Sequence, residues 1–129
     1  MQKIIIISTR KNPTPSINDQ LQWIGQSLGL FNLRDKNSSC FRIFIILLRK
    51  ARAGEIITSD EIANMLRLTR GTVVHHLNML MGAGIVLREH GGYILRESNL
   101  ERLMTEVKRD IDRAFEGIIE VAHEIDQKL

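Results

Sequence analysis

The chain of 129 residues is poor in several things, and each scarcity excludes something. A single cysteine, Cys40, rules out an internal disulfide and fits a reducing cytoplasm. Aromatic residues make up only 5% against 43% apolar residues overall, which predicts an aliphatic, mainly helical core. The longest apolar run, Ile43 to Leu48, is far too short to cross a bilayer, so no membrane partner is expected. Ile4 to Ile7 follows one lysine and is too brief for a secretory signal. There is no phosphate-binding glycine loop, dinucleotide fingerprint, serine elbow or cysteine–histidine zinc pattern. His75 and His76 are adjacent, so on a helix they point about 100° apart and form no metal pair. His123 lies among Glu120, Glu124 and Asp126, which reads as a solvated charged face rather than a cation site. An enzyme, a cofactor and a bound metal are therefore not expected.

The most telling scarcity is local. Between Glu61 and Glu89 there is no acidic residue. The same stretch reads as helix, tight turn, helix and strand. Ile62, Ala63 and Leu66 recur at helical spacing behind Asp60 and Glu61, with Thr58 or Ser59 as cap. Arg67-Leu68 falls in the turn, and Thr69 caps a second helix. In that helix Val73, Leu77 and Leu80 face inward, while Arg70, Gly71, Val74, His75 and Asn78 lie opposite. A solvated helix face usually carries long Glu and Lys side chains. This one is small, polar or cationic, as a helix entering the major groove of DNA must be. A neutral helix packing on another protein is the competing reading.

The following residues extend the pattern. Gly82-Ala-Gly84 stops the helix, Ile85 to Arg88 reads as a strand, Glu89 to Gly92 as a hairpin tip, and Tyr93 to Arg96 as the return strand. A hairpin directly after such a helix is the wing of a winged helix, with Arg88, His90 and Arg96 placed to meet phosphate or the minor groove. The candidate DNA contacts are Thr69, Arg70, Gly71, Thr72, Val74, His75, Asn78, Arg88, His90 and Arg96. Ile56-Ile57 is expected to add a third strand.

Residues 40–96 resemble the winged helix-turn-helix of ArsR-type and related MarR-type prokaryotic repressors, and archaeal members above all. The run from Thr72 to Val86 carries the likeness, most specifically His75-His76-Leu77. The resemblance covers about half of the chain. It implies a homodimer on a pseudo-palindromic operator, with the second helix in the major groove and the wing beside it. The metal-sensing branch of that family uses paired cysteines near the DNA-binding helices. With Cys40 alone, metal sensing is not implied here, and the effector stays open.

Charge is segregated along the chain. The overall formal charge is +3; residues 1–35 carry +2, residues 36–97 carry +4 and residues 98–129 carry −3. The basic segment is the one read as DNA-binding. These ranges also divide the expected organisation into an N-terminal strand or arm with a helix, a winged helix-turn-helix domain, and a C-terminal dimerisation helix. The fold class is mostly α, with a small β component.

The outer segments are read from periodicity. Ile4 to Ile7 predicts a buried strand or a pairing arm, and Arg10 to Pro15 a loop whose two cations are solvated. Ser16 caps a helix with Asp19 in the reciprocal position, and Ile17, Leu21, Ile24 and Leu28 form its stripe. Trp23 lies off that stripe, where it marks either core packing or a second contact. Asn37 to Ser39 opens a helix in which nearly every residue from Cys40 to Leu48 is apolar except Arg42, and Ala53-Gly54 closes it. Ser98 to Glu101 reads as a capping box for a helix of about 30 residues, roughly 45 Å long. Leu100, Met104, Val107, Ile111, Ala114, Ile118, Val121 and Ile125 step by four and three, the seam of a paired helix; Leu103, Phe115, Ile119, Ala122 and Leu129 widen it. Homodimerisation is the expected use. The alternative is that the helix after Ser16 folds back over the stripe. Two function classes follow: a dimeric, sequence-specific transcriptional regulator on double-stranded DNA, or a winged-helix protein-interaction module. A non-specific architectural protein would need a larger basic excess than +4.

Overall fold

A computed structural model describes residues 1–31 and 38–129. The expected boundary at residues 35 and 36, and Asn37 as a helix opener, lie outside the described residues. The element order is α1 (Ile17–Ser27), α2 (Ser39–Arg52), α3 (Ser59–Leu66), α4 (Arg70–Gly82), β1 (Val86–Glu89), β2 (Gly92–Leu95) and α5 (Leu100–Lys128). The chain is mostly helical, with one small antiparallel sheet: a winged helix followed by a long C-terminal helix.

The core forms where the apolar faces of α2, α3 and α4 converge. Ile43, Leu47, Ile57, Ile62, Val73, Leu77, Leu80 and Leu103 are fully buried. Each such aliphatic side chain contributes about 1.5–3 kcal/mol through removal from water. The all-round apolarity of α2 is explained by its central position, since Cys40, Phe41, Phe44 and Ile46 are buried as well. Arg42, the one cation in its apolar stretch from Cys40 to Leu48, turns to α3 and donates to the Leu66 carbonyl at 2.9 Å, satisfying an orphan acceptor at that helix end.

The sheet pairs Val86 with Leu95, Leu87 with Ile94, Arg88 with Tyr93 and Glu89 with Gly92. The expected third strand is reduced to a single bridge, in which Ile57 and Tyr93 exchange both backbone hydrogen bonds (3.1 and 2.8 Å). Gly92 is required there. A Cβ on it would lie 2.2 Å from the Ile56 side chain and 3.1 Å from the Ile57 carbonyl.

The N-terminal segment is an arm, not a strand. Its Lys3 N–H donates to the Gly82 carbonyl (2.7 Å) and its Ile7 N–H to the Ser27 carbonyl (2.8 Å). Ile4 packs against the core, whereas Ile5, Ile6 and Ile7 are exposed, so the expected burial is met by Ile4 alone. Ser16 and Asp19 form the capping box of α1. Leu21 and Leu28 of the expected stripe pack on the core, but Ile17 is exposed. Trp23 is half-buried, donating to the Thr9 carbonyl at 3.4 Å with Lys11 over its ring.

The cap of α5 lies one residue later than expected. Asn99, not Ser98, accepts from the Arg102 N–H at 2.8 Å. Leu103 and Val107 are buried and Leu100, Met104 and Ile111 pack on the core, but every residue from Asp112 to Leu129 is exposed. The helix therefore leaves the body after three turns. Ile118 (61%), Val121 (53%) and Ile125 (50%) stay open to solvent within one chain, so α1 does not fold back over the seam.

Candidate nucleic-acid interface

Two capping motifs place the helix pair. Thr58 Oγ1 accepts from the Glu61 N–H at 3.1 Å, and the Glu61 carboxylate accepts from the Thr58 N–H at 3.3 Å. Arg67 then takes a left-handed conformation (φ 55°) that ends α3. Two residues on, Thr69 Oγ1 accepts from the Thr72 N–H at 3.1 Å and donates to Thr72 Oγ1 at 2.8 Å. The turn is thus only three residues long, and α4 starts at a fixed angle to α3.

Burial sorts α4 as periodicity predicts. Val73, Leu77 and Leu80 have no exposure, while Arg70, Gly71, His75 and Asn78 are exposed and Thr72 and Val74 are half-buried. The outward face has no Cβ at Gly71, and a Cβ there would meet nothing within 4 Å. Foreign backbone therefore has room to approach the first turn, whose free N–H groups and helix dipole attract anions. Arg70 Nε stands 3.6 Å from Asp60 Oδ1, with both side chains mostly exposed. Such a pair contributes about 0–1 kcal/mol and yields readily to a better acceptor. His76 is half-buried and meets His75 edge to face at 5.4 Å.

The wing is short and tightly turned. His90 (φ 48°) and Gly91 (φ 78°) form its two-residue tip, both in the positive-φ region that a twisted hairpin demands. Arg88 is exposed and lies over the Tyr93 ring, 5.8 Å from its centroid. Thus Arg70, His75, Asn78, Arg88 and His90 are all accessible on the helix-turn-helix and its wing.

Arg96 departs from expectation. It is turned away from the wing tip to Asp110 of α5, with Nη1–Oδ2 at 2.5 Å and Nη2–Oδ1 at 3.2 Å, and its side chain is 23% exposed. The Arg96 hydrogen bond, followed by that of Gln2, holds the Asp110 carboxyl well below the usual carboxylate range. In this arrangement the Arg96 guanidinium faces α5 rather than the wing tip. Asp110 itself was not singled out by periodicity, although an acid beside an apolar seam is a signal of a paired partner.

Residues 47–87 match the model of the arsR family of bacterial regulatory proteins. The chain carries an ArsR-type helix-turn-helix. This is the architecture of a DNA-binding transcriptional regulator, and it points to binding rather than catalysis. The matched segment runs from the core of α2 through α4 into β1, so it contains the capped turn and the sorted faces described above. No curated protein and no solved structure matches the chain. Among the described residues there is no group of three His, Cys, Asp or Glu side chains able to hold a metal, and no helix is long and apolar enough to cross a membrane.

Proposed function

We propose that this ArsR-type regulator binds double-stranded DNA sequence-specifically as a homodimer, with α4 in the major groove and the wing on the adjacent backbone or minor groove. The observation that carries the reading is the outward face of α4. It is free of acids, open at Gly71, and edged by an Arg70 whose ion pair with Asp60 is weak and solvent-exposed. Arg70 is the candidate for reading guanine; Thr69, Gly71, Thr72, Val74, His75 and Asn78 line the approach, while Arg88 and His90 contact the backbone.

Dimerisation through α5 is supported by its unpaired half. Ala114, Ile118, Val121 and Ile125 continue the seam of Leu100, Met104, Val107 and Ile111 beyond the body of the protein. A second copy of α5 would cover it, and a two-fold pair would present two recognition helices to half-sites about one helical turn apart.

Selection of binding sites from randomised duplexes tests the proposal. A pseudo-palindromic consensus with half-site centres about 10 base pairs apart is expected. A pool that never converges would remove sequence specificity and leave the same fold as a protein-docking module.

A further inference from the structure

The Asp110 carboxylate joins three parts of the molecule. Its side chain is 10% exposed, and it accepts from Arg96 at the base of the wing, from Gln2 Nε2 of the arm (2.7 Å) and from Arg113 one turn along α5 (2.7 Å). Two of these donors reach on to the end of α4. Gln2 Nε2 also donates to the Ala83 carbonyl (3.0 Å), and Arg96 Nη1 to the Gly84 carbonyl (3.4 Å). Beside them the Lys3 N–H holds the Gly82 carbonyl. Helix-end carbonyls have no partner within their own helix. Here the Ala83 and Gly84 carbonyls, just past the end of α4, are held by side chains that also bond Asp110 of α5.

The result is a closed ring running from Ala83 through Gln2, Asp110 and Arg96 to Gly84. It matters because, apart from a longer Arg96–Glu106 ion pair (3.8 Å), the attachment of α5 among the described residues is apolar: Leu100, Leu103, Met104, Val107 and Ile111. Apolar burial is non-directional and permits rocking. Charge-assisted hydrogen bonds on both sides of one carboxylate fix an angle.

We infer that Gln2 and Asp110 are positioning residues that set the angle between the recognition helix and the dimerisation helix, and so select the half-site spacing the dimer accepts. This rests on the dimeric DNA-binding reading. Two rigidly linked heads bind paired sites far better than one head binds a single site, and the gain falls when the link loosens.

The test compares the native protein with Gln2→Ala, which removes the arm's link and leaves the Arg96–Asp110 pair intact, and with Asp110→Asn. Affinity is measured for a single half-site and for paired half-sites at stepped spacings. Separately, spin labels at positions 90 and 116 of one chain, diluted into excess unlabelled protein, report the wing-to-α5 distance without DNA. The expected result for both variants is a loss of about tenfold at the best spacing, a flatter spacing profile and a broader distance distribution, with little change on a single half-site. Unchanged profiles and distances in folded variants would overturn the inference. So would equal losses on single and paired sites, which a merely structural role produces. A native protein that binds no DNA would defeat the DNA reading, while the distance distributions would still judge the clasp.

Discussion

Arg96 and Asp110 form a two-point ion pair that ties the base of the wing to α5. A residue whose position in the hairpin points to DNA is thus turned toward α5. The pair has a consequence for acid stability. The folded-state pKa of Asp110 is lowered, chiefly by the Arg96 hydrogen bond, so the unfolded chain takes up the proton first as pH falls. The stabilisation is complete above an unfolded-state value of about 4 and drains away below it. Thermal unfolding of the native protein should lose stability as pH falls below that value. Asp110→Asn should be less stable at neutral pH by about 1–3 kcal/mol and should show a shallower acid limb. Parallel acid limbs would remove Asp110 from the account.

Arg70→Ala and Arg88→Ala should separate base reading from backbone attraction. Arg70→Ala is expected to cost about 1–3 kcal/mol on the selected site and to relax preference at one base pair. Arg88→Ala should weaken all sequences alike and reduce the salt slope by about one. Competition binding against single-base variants of the site reads the difference. Identical, uniform losses would strip Arg70 of its reading role.

Gly71→Ala should divide stability from function. Its Cβ meets nothing, and alanine loses less backbone entropy in a helix, so stability should hold or rise by up to about 1 kcal/mol. DNA affinity should fall, because the added methyl would stand in the proposed path of a phosphate or base edge. Denaturant unfolding and DNA titration of the same preparation decide it. An unchanged affinity would move the groove contact away from the first turn of α4.

Ile118→Glu tests the seam without endangering the protomer. The side chain is 61% exposed in the single chain, so the substitution should leave the monomer folded. In a pair of α5 helices it would bury an unpaired carboxylate at a cost of several kcal/mol. Light scattering should show a native dimer and a monomeric variant whose tight binding to paired half-sites is lost. A native protein that is monomeric at high micromolar concentration would contradict dimerisation through α5.

What was legible in the sequence followed local rules. The caps at Ser16 and Thr69, the inward face of Val73, Leu77 and Leu80, the glycine stop at Gly84 and the tip of the hairpin each depend on residues within a turn or two. The fate of Arg96 does not. It is decided by Asp110, 14 residues away, and by Gln2, 108 residues from Asp110, through packing that no local pattern encodes. The arm was ambiguous for the same reason: four successive isoleucines fit a buried strand, but only Ile4 reaches the core. Ser98 and Asn99 are both good caps, and the backbone geometry that chose Asn99 is not visible in residue type.

Affinity for the selected duplex and for a random one, measured across a range of salt concentrations, tests the central claim most directly. Each phosphate contact releases counterions, so the logarithm of affinity should fall linearly with the logarithm of salt for both duplexes. The selected site should bind at least about 10³-fold tighter throughout. Absence of binding at low salt, or equal affinity for both duplexes, would contradict sequence-specific DNA binding.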